Sequence, residues 1–299
     1  MSSEIPYIGE IFALAAPICW SVAVILFRKT GEVVPPLALN VFKNNLAIVL
    51  FFGTLLAIGQ ELFRPVPIRE YVLLLVSGAL GIGISDTLFF MTLNRLGAGR
   101  QAIVNTSYSP SVIALSMLFL GERLSVLQIV GVLLILNAVV SVSRMREGRD
   151  RVSREKLASG ILLGLLSIAT QAVSIIMIKP FLEGTPLIWG NCWRLLGGQV
   201  LTLLLLPMLP QRGAALATLR HVRIWPVMIP AAVIGTYISL LFWLGGMKYT
   251  LASTASALNQ TSTLWTFVLG ALLLREPVTW LRIVGLALGV AGVALVTFG

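Results

Sequence analysis

Charge is what this chain has least of. Only 11% of its 299 residues are Asp, Glu, Lys or Arg, against about a quarter in a soluble domain, while 57% are hydrophobic and the mean hydropathy is +0.94. A water-soluble fold is excluded. Histidine is nearly missing too: the single His221 falls in a loop between apolar runs, so no Ser-His pair can assemble inside a membrane and hydrolysis by such a pair is excluded. Cys19 and Cys192 sit in separate apolar segments with no His or Cys nearby, which suits neither a disulfide framework nor a metal site. No cofactor and no metal ion is expected. Acids are outnumbered 12 to 22, giving a formal net charge of +10. The cations flank apolar runs and form no basic domain, so nucleic acid is not an expected partner. The opening segment lacks Lys and Arg and leads into a run too long for a signal-peptide core, so it reads as a retained span.

What is present is a succession of apolar runs of about 20 residues, each enough to cross about 30 Å of hydrocarbon. They lie near Ile8–Phe27, Pro36–Ile58, Tyr71–Leu93, Ala98–Leu120 and Leu124–Val142, then Ala158–Ile178, Pro186–Leu209, Trp225–Met247, Leu251–Leu274 and Thr279–Phe298. Between the two sets, residues 144–157 are too charged for hydrocarbon and read as a solvated linker joining a first repeat, 1–143, to a second, 158–299. A shift of about 151 residues pairs Gly9 with Gly160, Arg28 with Lys179, Pro35 with Pro186 and Lys43 with Arg194. Beyond a slightly longer loop, a shift of about 154 pairs Gly81 with Gly235, Ser85 with Ser239, Asn105 with Asn259 and Glu122 with Glu276. The reading is an all-α membrane protein of ten transmembrane helices in two five-helix repeats. An odd number of spans per repeat makes the repeats inverted.

Short motifs recur in a fixed order. Cys19-Trp20-Ser21 precedes Arg28-Lys29 in the first run, and Asn40-Val41-Phe42-Lys43 and Asn191-Cys192-Trp193-Arg194 each set one cation in an apolar stretch. The corners Gly121-Glu122-Arg123-Leu124 and Arg275-Glu276-Pro277-Val278 both lead to Ile-Val-Gly. In this order they resemble the drug/metabolite transporter superfamily, specifically its duplicated EamA-repeat branch of ten-helix amino-acid and metabolite exporters, over nearly the whole chain. The resemblance implies a central cavity lined mainly by spans one to four and six to nine. Two departures stand out: Gln171 replaces a second Trp, and span one has no acid where the superfamily's small multidrug pumps carry a Glu, which disfavours proton-coupled efflux of cationic drugs.

Charge and polarity at membrane depth mark the candidate substrate-binding residues. Lys43 and Asp86 lie at similar depth, roughly 10 Å in at 1.5 Å per residue, and can pair, either as a fixed lock between spans two and three or as part of a site. Arg194 matches Lys43, but Leu240 stands where a partner to Asp86 belongs. Its fork suits a substrate carboxylate or phosphate; helix-end carbonyls or snorkelling are the other uses. Asn105 and Asn259, each beside further polar residues, bond between helices or face a cavity. Pro110 is expected to bend span four, and Leu264 replaces it in the second half, so the two sides of the cavity are expected to differ. Trp20, Tyr108, Trp193, Tyr237, Trp243 and Trp265 can wall a site, while Trp189, Trp225 and Trp280 suit the membrane boundaries. Glu122 and Glu276 read as caps on the helices that follow them. Gly160/Gly164 and Gly285/Gly289 read as faces for close helix packing, within the chain or between copies of a homodimer.

The expected function is a secondary transporter that exports a small-molecule substrate, an amino acid or similar metabolite, from within the lipid bilayer of a bacterial inner membrane. A phosphorylated-sugar or nucleotide-sugar exchanger calls for more cations than Lys43 and Arg194, and a lipid-modifying enzyme needs a nucleophile or metal constellation that the sequence lacks. That sugar exchanger and a non-transporting scaffold are the alternatives that stay open. Cations are concentrated on the linker side of the chain, so the positive-inside rule puts the linker in the cytoplasm and both termini outside. Tags on either terminus are expected to be cleaved by protease added to intact cells; protected tags overturn this orientation.

Overall fold

In hydrocarbon no water is available to bond backbone amides and carbonyls, so apolar runs must satisfy them internally, as helices. The computed structural model describes residues 7–120, 125–143, 153–208, 212–220 and 222–298. The Gly121-Glu122-Arg123-Leu124 corner, residues 144–152 of the linker and His221 lie outside the described residues. The helices are α1 (Ile8–Thr30), α2 (Pro36–Ala57), α3 (Ile68–Leu96), α4 (Ala98–Asn105), α5 (Tyr108–Leu120), α6 (Val126–Ser143), α7 (Arg154–Leu182), α8 (Leu187–Leu205), a short α9 (Arg212–Thr218), α10 (Val222–Tyr249), α11 (Ala252–Asn259), α12 (Thr261–Leu273) and α13 (Trp280–Phe298). Among the described residues six stretches are long and apolar enough to cross a membrane: α1, α2, α3, Ala98–Phe119, α7 and α10. The end of the charged linker is itself helical. Ser153 caps α7, its hydroxyl accepting from the Lys156 amide at 3.3 Å, so this helix begins before its apolar part.

The two halves interlock. The first helix of each packs on the third and fourth helical regions of the other: α1 on α10 and α12, α7 on α3 and α5. Paired glycines make these crossings close. A methyl group on Gly9 would lie 2.7 Å from the Tyr249 carbonyl carbon, and one on Gly160 would lie 2.5 Å from Leu96. Gly81 meets Ser174 just as its repeat mate Gly235 meets Ala23 and Phe27. Serines add polar ties across α3 and α7. Ser85 and Ser167 donate to each other's carbonyls at 2.8 Å, and Ser77 and Ser174 do so at 2.8 and 2.7 Å. Gly160 and Gly164 are thus used within the chain, as is Gly289 against Thr106. The last helices, α6 and α13, pack on each other.

Helices α3 and α10 each carry one π turn, Ala79–Ile84 and Val233–Ile238, at matching repeat positions. A π turn leaves carbonyls off the regular ladder, and its insertions often mark functional sites. Asn40 on α2 takes up those of α3, its Nδ2 donating to the Ile82 and Gly83 carbonyls at 2.9 and 3.1 Å.

The fourth helical region of each half is interrupted. Pro110 removes one backbone donor, and the break falls just before it, at Thr106 and Ser107. The second half breaks as well, at Gln260, although Leu264 stands in place of a proline. The shared feature is a threonine bonding three residues back, Thr106 to the Ile103 carbonyl at 2.7 Å and Thr261 to that of Leu258 at 2.9 Å, which competes with the backbone ladder.

Glu276 is a cap, but not for the helix that follows it. Its carboxylate accepts from the Ala98 and Gly99 amides at 2.7 and 2.9 Å, the start of α4 in the other half, and Arg282 steadies it at 3.3 Å. A cap acts on whichever free amides lie near in space, and chain reversal brings those of α4. Its counterpart Glu122 lies outside the described residues.

Helices α3 and α8 touch backbone to backbone: a Cβ on Gly78 would sit 1.7 Å from the Arg194 carbonyl oxygen, and one on Gly197 2.0 Å from that of Leu75. Gly78→Val is therefore expected to prise α3 from α8 and destabilise the protein by about 3 kcal/mol or more. Gly53→Ala, with nothing within 4 Å, serves as the control and leaves thermal unfolding in detergent unchanged. Equal midpoints for the two variants overturn the contact.

Candidate functional site

Each half leaves polar side chains part-way along its helices, and they converge on one cavity of about 120 Å³. Its lining falls largely into repeat pairs: Trp20 with Gln171, Gly81 with Gly235, Ile82 with Thr236, Ser85 with Ser239, Asp86 with Leu240, Phe89 with Trp243, Asn105 with Asn259, Tyr108 with Ser262. The two π turns border it through Gly81, Ile82, Gly235 and Thr236. Helix α8 contributes no lining residue, so the cavity departs there from the implied set of spans.

Lys43 is the buried end of the charged pair. Its Nζ donates to Asp86 Oδ2 at 2.7 Å and to Asn44 Oδ1 at 2.9 Å, and lies 5.9 Å from the centre of the Phe90 ring. Its side chain is 1% exposed against 18% for Asp86, whose accessible part opens on the cavity. Lys43 and Asp86 thus tie α2 to α3, and both lie on the cavity wall.

Several polar groups around the cavity have nothing to bond. Among the described residues, Gln171 Oε1 and Thr236 Oγ1 are buried without a partner, and the Trp243 indole lies beside the Tyr108 hydroxyl without completing a hydrogen bond. The side-chain amides of Asn105 and Asn259 make no hydrogen bond among the described residues; only the Asn105 carbonyl is engaged, by Gln260 Nε2 at 3.2 Å. A buried polar group left unbonded costs about 1–3 kcal/mol, so such a cluster is stable chiefly when water or a ligand fills it.

Arg194 lies just behind this wall, fully buried. Ser77 and Ser174 have spent their protons on each other's carbonyls, leaving both oxygens to accept from Arg194, at 3.1 Å from Nε and 3.1 Å from Nη2. The guanidinium sits 5.1 Å from the centre of a Trp243 ring, which lines the cavity, and Asp86 lies within its electrostatic reach. Neither helix-end carbonyls nor snorkelling satisfies it.

Of the candidate residues, Trp20, Lys43, Asp86, Asn105, Tyr108, Trp243 and Asn259 line the cavity. Four do not. Trp193 instead packs on Tyr71 at 4.7 Å and donates to the Leu62 carbonyl at 3.2 Å, holding the α2–α3 loop. Trp189, expected at a boundary, is fully buried in the same cluster, bonded to Leu62 at 2.7 Å. Tyr237 turns towards α2, its hydroxyl 2.6 Å from that of Thr54 and its ring on Phe51. Trp265 is 47% exposed on the outer face of α12, and Arg194 is in the second layer. Sequence reasoning passed over Ser167, Thr236 and Phe89 as site residues; the repeat shift could have found Phe89 from its mate Trp243, whereas Ser167 pairs with Ala16, outside the lining, and Thr236 with Ile82, which no polarity marked.

Comparison with known proteins agrees with this architecture. The EamA-like transporter family model matches twice, over residues 7–144 and 158–298. Among solved structures 26 chains match; one described as "Crystal structure of protein" superposes with a TM-score of 0.72 over 97% of this chain and 96% of its own, at 17% identity, a likeness of fold alone. Among curated proteins no sequence matches. With two family repeats covering nearly its whole length, the chain belongs to the EamA-like transporter family, a multi-pass membrane protein of two repeats.

Proposed function

We propose that this protein is a secondary transporter that exports small polar metabolites, amino acids foremost, across a bacterial inner membrane. In this reading ten transmembrane helices form two inverted repeats, 1–143 and 158–299, joined by the linker 144–157, and the protein works as a monomer or homodimer. The observation that carries it is the cavity at the junction of the halves, lined by repeat-paired residues and by polar groups with no partner. A site shared by two similar packings is reached from either side when the packings exchange, which is alternating access. At about 120 Å³ it suits a cargo of amino-acid size better than a nucleotide sugar. The cavity-lining candidates Trp20, Lys43, Asp86, Asn105, Tyr108, Trp243 and Asn259 are its proposed binding residues.

Purified protein in proteoliposomes is expected to exchange labelled amino acids by counterflow. Asn105→Ala and Asn259→Ala each lower exchange about tenfold or more, while Trp265→Leu, on the outer face, leaves it unchanged. No exchange across a broad panel by folded protein refutes the transporter reading.

The ion pair gives a separate expectation. Asp86→Asn strands the buried Lys43 charge and destabilises the protein by about 3–5 kcal/mol, and Lys43→Met combined with Asp86→Asn regains most of it. Thermal unfolding in detergent reads both; a double variant no more stable than the single one rules out this coupling.

A further inference from the structure

Counting the buried charges around the cavity leaves one uncompensated. Lys43 and Arg194 are both fully enclosed cations, at 1% and 0% exposure, and among the described residues the only acid lining the cavity is Asp86. Its Oδ2 is already bound to Lys43. Arg194 cannot shed its proton to escape, since a guanidinium stays charged. Among the described residues its two side-chain hydrogen bonds go to neutral serine hydroxyls, and its Nη1 has no acceptor. The second half could have supplied a carboxylate at the position matching Asp86, yet Leu240 stands there. A lone positive charge at this depth is the arrangement that hydrocarbon tolerates least.

The other groups facing the cavity point the same way. The Tyr108 and Thr236 hydroxyls and the amides of Asn105 and Asn259 can each donate to an anion, the Gln171 Oε1 beside them can accept an ammonium proton, and the one carboxylate of the lining, Asp86, already has its Oδ2 on Lys43. Arg194 acts on the cavity through the Trp243 ring it stacks against, so its field reaches a bound molecule across a single layer. From these observations we infer that the cavity is built for a cargo with one net negative charge, a small carboxylate monoanion such as an acidic amino acid, whose charge completes the count begun by Lys43, Asp86 and Arg194. The inference rests on the transporter reading and narrows its substrate class.

Isosteric pairs isolate charge from size. In counterflow with the full-length protein, aspartate and glutamate are expected to compete at concentrations at least about tenfold lower than asparagine and glutamine, and to stabilise the detergent-solubilised protein more strongly in thermal unfolding. Glycerol phosphate, as a separate arm, is expected to compete more weakly than the acids. The preference disappears in Arg194→Gln and is kept in Arg194→Lys, which retains the charge. Should Arg194→Gln fail to fold, the wild-type comparison still decides. Asparagine and glutamine handled as well as their acids overturns the charge assignment while leaving the transporter standing. Glycerol phosphate preferred over every carboxylate overturns the carboxylate. A protein that binds and moves none of these, nor any neutral or basic amino acid, loses both readings.

Discussion

At the crossing of α3 and α8 no side chain fits between the backbones, and Gly78, Gly197 and Gly198 are what allow it. That approach places the Arg194 side chain against the α3–α7 seam, where Ser77 and Ser174 each face the other. Three helices from two halves are thereby joined at one polar node inside an apolar bundle, with no water to relieve a missing bond. Trp243 rests on the same guanidinium, so the α10 wall of the cavity takes its position from this node too. A bulkier residue at Gly78 alters not one contact but the reference point of the whole site.

The interlocking of the halves explains why the cavity is central. Because α1 packs on the second half and α7 on the first, neither repeat closes a core of its own, and the buried clusters draw on both. The repeat-related glycines, serines and π turns hold the two sides alike. The chemistry is carried where they differ: Asp86 against Leu240, Tyr108 against Ser262, Phe89 against Trp243. The frame is symmetric between the halves, and the lining of the cavity is not.

Much of this was legible one residue at a time. That Lys43 and Asp86 can pair was legible from depth alone, since two opposite charges at one level of a bilayer seldom stand apart, and the repeat shift located Asn105 with Asn259. The aromatic residues resisted the same treatment. Trp193 and Trp265 occupy apolar runs just as Trp20 and Trp243 do, and only rotation about the helix axis, set by neighbouring helices, separates a cavity wall from a loop anchor or an outer face. Glu276 was legible as a cap, but the amides it caps belong to a segment far away in sequence.

Composition and periodicity by themselves determined the membrane class, the helical content and the duplication, because the hydrocarbon barrier acts on each segment separately and leaves its mark in every run. Which faces turn inward, which polar groups stay unbonded and which cation lacks a counter-charge were decided only by the tertiary structure. Those properties belong to pairs and triples of residues brought together by packing, and no single segment contains them.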